Sequence, residues 1–236
     1  MPTLSGELLD PLLAADPVGP RITYYDDATG ERIELSTVTL ANWAAKTANL
    51  LRDEFGAGPG TRAAVLLPAH WQSAAVMLGA WWIGAQVCLS GPADLALCTL
   101  DRLAEADEAV AGGEVAVLSL DAFGKAQSGL PIGVTDYATA VRVHGDQIVP
   151  ERNPGPALGG RSVTEVLAEA RAAAVDLGLV ATDRVMSAQP WSTDAEIIRN
   201  LLAVFATEAS LVQLANPDPA LLDRRRVTEK VTRTLD

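Results

Sequence analysis

The 236-residue chain is long enough to bury a full core. At 49 % hydrophobic and 20 % charged residues it reads as a globular sequence and not a disordered one. Its net charge of −12 leaves no electrostatic reason to bind nucleic acid or anionic lipid.

The opening stretch, MPTLSGELLDPLLAADP, is acidic and interrupted by prolines, which argues against a signal peptide. Residues 22–35 read as a hairpin around Asp27-Ala28-Thr29-Gly30. Ser36 or Thr37 then caps a helix running to about Phe55, with Leu40, Ala44, Ala48, Leu51 and Phe55 on one face. Gly56, Gly58, Pro59 and Gly60 end it. Residues 62–67 form a continuous apolar strand of the kind covered on both faces in a parallel sheet. The apolar run 74–85 is too short to span a membrane and belongs to a buried helix over 70–84, with Trp81 and Trp82 in the core. A strand follows at 85–89, and strand–helix–strand requires a parallel crossover.

The pattern repeats more weakly. Residues 95–100 read as a strand, Asp101 as the cap of a helix, and 114–120 as a strand. Residues 121–135 read as loop and 136–143 as a short helix or strand. Arg142–Ser162 is rich in proline and glycine. Ser162 and Glu165 form a capping box before a helix with the stripe Val163, Val166, Leu167, Ala170, Ala174 and Leu177. A strand at 183–188 follows. Thr193 and Glu196 form a second capping box before a face of Ile197, Ile198, Leu201, Leu202 and Phe205. A strand at 210–215 precedes a tail of one or two polar helices. Alternating strands and helices predict an α/β fold with mostly parallel sheets and helices on both faces.

Chemical candidates are few. Cys88 and Cys98 sit in apolar segments without metal-ligand spacing and read as free thiols of a reducing cytoplasm. His70 reads as structural, at the start of the buried helix, and His144 as part of a surface turn. No nucleophile motif and no metal motif accompanies either histidine. Arg224, Arg225 and Arg226 read as a solvated face. Trp191, Ser192, Thr193 and Asp194 lie after a strand end and before a helix cap, where α/β sheets place ligands, and form the candidate ligand site. Arg142–Ser162 is a poor phosphate cradle. Pro154 and Pro156 lack the donor N–H, no lysine occurs between Lys125 and Lys230, and Ser162 and Glu165 already occupy the next helix start. No catalytic or metal-binding residue is assigned.

Residues 40–92, with Ala41-Asn42 through Leu51, Pro59-Gly60-Thr61-Arg62 through Pro68, and Gly84-Ala85, resemble the N-terminal region of AMP-forming acyl-CoA synthetases and adenylation domains. Residues 162–214 resemble the helix, strand and helix after that family's phosphate loop, with Pro190 to Thr193 in place of its P-x-x-H. The resemblance implies the first part of a synthetase large domain over 1–236, as one domain or as two lobes of about 1–141 and 162–236 joined by 142–161. It also implies that the phosphate loop should fall in Arg142–Ser162, which lacks its Ser/Thr run and its lysine.

The expected function is therefore a truncated, catalytically inactive pseudoenzyme or interaction module, cytoplasmic, without a cofactor. A homo-oligomer (a dimer) or a protein partner would cover apolar faces that the rest of such a domain would bury. The alternatives are a ligand-binding protein for acyl, CoA or adenine nucleotide groups and a divergent or split AMP-forming ligase. Only the last would use ATP and Mg²⁺.

Overall fold

The computed structural model describes residues 2–122 and 124–235. Phe123, inside the predicted 121–135 loop, and Asp236, at the end of the predicted helical tail, lie outside the described residues. Among the described residues the chain builds two five-stranded sheets, and by its internal contacts it divides into two compact units. The first unit is residues 1–7, 41–68 and 72–163; the second is 8–40, 69–71 and 164–236. The units therefore interleave along the chain instead of meeting once at the Pro/Gly segment.

The second unit holds the sheet ordered β10-β8-β9-β1-β2. The predicted hairpin is β1 (Pro20–Asp26) and β2 (Glu31–Ser36), paired antiparallel. β8 (Arg184–Ser187) and β9 (Ser210–Ala215) continue it in parallel, with Ile22 opposite Leu211 and Ser187 opposite Gln213. The polar tail departs from expectation. A 3-10 turn (Pro219–Leu221) and a helix (Leu222–Thr228) are followed by an edge strand, β10 (Arg233–Leu235), parallel to β8.

The Arg224–Arg226 triplet is likewise not uniformly solvated. Arg225 is buried, its two terminal nitrogens donate to the Asp27 carboxylate at 2.6 and 3.0 Å, and its guanidinium lies 4.0 Å from the Tyr25 ring centre. Consecutive helical residues point about 100° apart, so one of three arginines can face inward while its neighbours do not.

The first unit holds the parallel sheet β4-β3-β5-β6-β7. Its strands are β3 (Arg62–Leu66), β4 (Gln86–Cys88), β5 (Leu95–Cys98), β6 (Glu114–Val117) and β7 (Val134–Asp136). Strand β7 arises at the end of the stretch expected to be loop. Both faces are buried: Ala63, Val65 and Leu97 point one way, Ala64, Leu66 and Cys98 the other. A β-strand alternates its faces, and only a sheet covered on both sides leaves such an unbroken apolar run.

Helix α1 (Leu4–Ala15) is not among the expected elements; it forms despite Pro11, with Leu4, Leu8, Leu9 and Leu12 at helical spacing and buried. Helix α2 (Thr37–Asp53) starts where Ser36 accepts the Thr39 N–H, and it stops short of Phe55. Helix α3 (Trp71–Trp82) packs on α2 so closely that a Cβ on Gly79 would lie 2.8 Å from the Ala44 carbonyl. Asp101 is not a cap. It sits inside a 3-10 turn (Leu100–Arg102) that leads into α4 (Leu103–Val110). Helix α5 (Tyr137–Ala140) follows β7, capped by Asp136, and α6 (Val163–Asp176) buries Val163, Val166, Leu167, Ala170 and Ala174 as expected.

Candidate functional site

The Arg142–Ser162 segment is a strap on the first unit, and several of its backbone donors are engaged there. The Glu151 N–H donates to the Trp82 carbonyl at 2.9 Å, Gly155 N–H to the Gly84 carbonyl at 3.1 Å, and Gly159 N–H to the Val87 carbonyl at 3.4 Å. The Glu151 carboxylate accepts the Arg152 and Asn153 N–H groups at 2.8 and 2.9 Å, so an internal anion fills that turn. The Ala157 carbonyl accepts the Val87 N–H and the Trp81 indole N–H, the latter at 2.7 Å. A Cβ at Gly155 would meet the Gly60 nitrogen at 3.0 Å, so this glycine serves close packing and not the approach of a phosphate. Lys46 donates to the His144 carbonyl at 2.6 Å, and the His144 ring pairs with Glu54 at 2.8 Å.

In the second unit, the stretch after β8 is tied at both ends. Gln189 N–H donates to the Ser187 hydroxyl at 3.1 Å, and the Asn200 amide donates to the Pro190 carbonyl at 2.9 Å. The expected Thr193–Glu196 capping box is present: Glu196 N–H donates to Thr193 Oγ1 at 3.2 Å, and the Glu196 carboxylate accepts Ser192 and Thr193 N–H at 2.7 and 3.0 Å. This helix is α7 (Asp194–Ile197), a π-helical turn (Ile198–Leu202) and α8 (Ala203–Ala206). One extra residue per turn rotates the helix surface locally, and such turns recur at functional sites.

The four candidate residues differ in burial. Trp191 is buried, and its indole N–H makes no hydrogen bond among the described residues. Ser192 and Thr193 are exposed, and Asp194 is half-buried at the helix start.

Sequence reasoning missed a buried polar row beside them. Ser187, Gln213 and Tyr24 stand opposite one another across β8, β9 and β1, so their side chains share one sheet face. The Gln213 amide donates to the Gln189 and Leu214 carbonyls at 3.2 and 3.3 Å, while its own oxygen is buried without a hydrogen bond among the described residues. The His70 ring stands edge-on to Tyr24 at 4.3 Å, and its Nε2 lies 3.9 Å from Glu31 Oε1. Burial lowers the His70 pKa below its ordinary value, and burial, reinforced by Asp26 and Glu31, raises that of Tyr24. A glutamine inside an apolar strand and an asparagine inside an apolar helix were the available signals.

The opposite sheet face carries an ion network. Glu229 accepts from the Tyr25 hydroxyl at 2.5 Å, from Arg32 at 3.0 Å and from Arg184. Burial works against its ionisation, but these three donors outweigh burial and hold its carboxyl below the ordinary range. Cys98 is buried in the first unit and burial pushes its thiol up to about 11, which leaves it unreactive at neutral pH. Among the described residues no group of three or more His, Cys, Asp or Glu side chains stands close enough to hold a metal, and no helix is long and apolar enough to cross a membrane.

Two five-stranded, mostly parallel sheets with helices around them match the fold of the N-terminal region of acyl-CoA ligases. The chain superposes on a Brucella canis acyl-CoA synthetase with a TM-score of 0.80 at 18 % identity, covering 98 % of this chain and 46 % of that one. A benzoate CoA ligase from Burkholderia xenovorans gives 0.75 at 15 % identity, covering 99 % and 50 %. An anthranilate CoA ligase, AuaEII, in complex with anthranoyl-AMP gives 0.71 at 15 % identity, covering 99 % and 49 %. The chain thus spans about half the length of these solved ligases. No family model matches it. A Mycobacterium tuberculosis protein described as a TIGR03089 family protein is 68 % identical over 238 residues, covering 99 % of this chain and 98 % of that protein. The chain belongs to the TIGR03089 family.

Proposed function

We propose that the chain is a non-catalytic protein on a ligase fold, a pseudoenzyme that acts as an interaction module. The observation that carries this reading is the state of the Arg142–Ser162 strap. Adenylation needs donors free to cradle a triphosphate and cations to neutralise its developing charge. Here the Glu151, Gly155 and Gly159 N–H groups are bound to the carbonyls of Trp82, Gly84 and Val87, and Pro154 and Pro156 have none to offer. The Glu151 carboxylate fills the adjoining turn, and Lys46 is held on a carbonyl. These residues do not fit ATP with Mg²⁺, and no step is routed through either. The test is pyrophosphate release from ATP, Mg²⁺ and a panel of carboxylic acids, with and without CoA. Release no faster than in a protein-free control is expected; turnover above one equivalent overturns the reading.

Self-association or a protein partner belongs to the same reading. Light scattering at micromolar concentration is expected to show a dimer, and a strict monomer counts against self-association.

A second reading is a binding site for an acyl, CoA or adenine nucleotide group beside Trp191, Ser192, Thr193 and Asp194. It is favoured by the buried polar row and by the unbonded Trp191 Nε1, in the stretch after β8, and Gln213 Oε1, within β9. Calorimetric titration with ATP, AMP, acyl-CoAs and fatty acids tests it, and silence toward all four sinks it.

A further inference from the structure

The β4–β5 connection breaks a rule of parallel sheets. Strands β4 and β5 flank β3 on opposite sides, so the chain must cross over β3 between them. Such a crossover ordinarily takes a dozen or more residues and carries a helix whose apolar stripe covers the sheet. Here only the six residues between Cys88 and Leu95 make the passage, through a bend at Leu89–Gly91.

The consequence is a cleft of about 430 Å³ on the face that α4 shares. Helix α4 packs chiefly on β5 and β6. Its Ala109 and the following Ala111 form one wall, Pro92 the other, and Leu66 at the end of β3 the floor. Leu66 belongs to an apolar cluster with Ala64, Cys98, Ala106 and Val110, and Cys88 packs against that cluster while remaining partly exposed. The rim is acidic. Glu105 and Glu108 are both exposed; Glu105 is paired with Arg102 at 2.7 Å, and Glu108 has no ion pair among the described residues.

We infer that this cleft receives a basic amphipathic helix from a partner protein, seated where a crossover helix would lie. Three observations select that occupant. The crossover is too short to carry a helix of its own. Of the lining, Leu66, Pro92, Ala109 and Ala111 are apolar, and these are what the stripe of a helix would meet. The rim carboxylates favour lysine or arginine flanking that stripe, and they disfavour a second copy of a chain whose net charge is −12. The inference supplies a partner chemistry for the interaction-module reading but stands on the cleft alone. Pyrophosphate turnover would refute that reading and leave the cleft untouched, and an empty cleft would leave the absence of catalysis standing.

The probe is an 18-residue acetylated and amidated helical peptide with a leucine stripe and lysines on its flanks. A scrambled peptide of equal composition controls for plain charge attraction. Fluorescence anisotropy is expected to show the striped peptide binding at least tenfold tighter than the scramble. Amide resonances of Ser90, Gly91 and the Glu105–Ala111 stretch should shift. Glu108→Lys, at an exposed position, should weaken binding at least fivefold, and Ala109→Trp should abolish it with the circular dichroism spectrum unchanged. Equal binding of stripe and scramble, or indifference to Glu108→Lys, overturns the inference. Dodecylamine shifting the same resonances while the peptide does not would overturn it in favour of a small apolar amine. A dimer dissociated by Ala109→Trp would overturn it in favour of a second copy.

Discussion

Gly79→Ala tests the packing of α3 on α2 by the sign of its effect. In a helix interior alanine ordinarily stabilises by about 1 kcal/mol relative to glycine, through propensity and a less flexible unfolded chain. At this position the new methyl would lie 2.8 Å from the Ala44 carbonyl oxygen, 2.8 Å from Thr47 Cβ and 3.0 Å from the Ala48 nitrogen. Two of these three atoms are helix backbone, which cannot swing aside as a side-chain tip can. Overpacking of this kind costs ~1–3 kcal/mol. Contacts this short against backbone that cannot move call for the upper part of that range, ~2–3 kcal/mol, and about 1 kcal/mol of it cancels the ordinary gain, so the net expectation is a loss of ~1–2 kcal/mol, or a fall of roughly 2–8 °C in Tm for a chain of this size. Thermal melts and urea titrations followed by circular dichroism read it. Gly58→Ala is the control, since nothing lies within 4 Å of its Cβ position; its Tm should stay level or rise slightly. A Gly79→Ala protein as stable as the parent, or more so, would refute the close approach of the two helices.

The remaining expectations concern the second unit. Arg225→Ala leaves the Asp27 carboxylate, 7 % exposed, without its bidentate partner and should cost ~3–5 kcal/mol, much of it recovered by adding Asp27→Asn. The Asp27 carboxyl is held below its ordinary range by Arg225, and that of Glu229 by Tyr25, Arg184 and Arg32 against the effect of burial. Their contribution is therefore present above about pH 4 and lost as pH falls through the depressed native values. The urea midpoint should drop in that range, with a shallower slope in Asp27→Asn. His70 has the opposite logic. Burial lowers its pKa, so below about pH 6.5 the unfolded chain binds a proton that the folded chain resists, and stability falls as pH falls. His70→Phe should flatten the midpoint between about pH 6.5 and 5, and an unchanged slope would show that His70 is not the group responsible. Thr193→Ala removes a complete capping box and should cost ~1 kcal/mol in equilibrium unfolding.

Where local chemistry decided the structure, the sequence was a sufficient guide. Alternation and a tight turn marked β1 and β2, and the Thr193–Glu196 spacing marked a cap that forms as written. Where a distant partner decided, it was not. β7 and β10 have three residues each and take their strand character from pairing with β6 and β8. Arg225 looks solvated until Asp27 and Tyr25 are brought beneath it. Asp101 looks like a cap because the 3-10 turn that displaces it leaves no local mark. The candidate site was legible only as a place after a strand end. Its buried members, Gln213 and Asn200, are polar residues on apolar faces, and only the parallel pairing of β8, β9 and β1 shows that Ser187, Gln213 and Tyr24 form one row.

The interleaving of the two units bears on how the chain is made. The first unit is complete once residue 163 has been synthesised. The second is not, because β1, at residues 20–26, takes β9, at residues 210–215, as its parallel neighbour. During vectorial synthesis the β1–β2 hairpin must wait, with one edge unpaired, while almost the whole of the chain emerges. An isolated two-stranded hairpin is marginal in water, and an open edge is a template for wrong pairing. The slowest and most aggregation-prone interval in the life of this protein should lie between those two moments, and chaperone dependence should track the β1 edge.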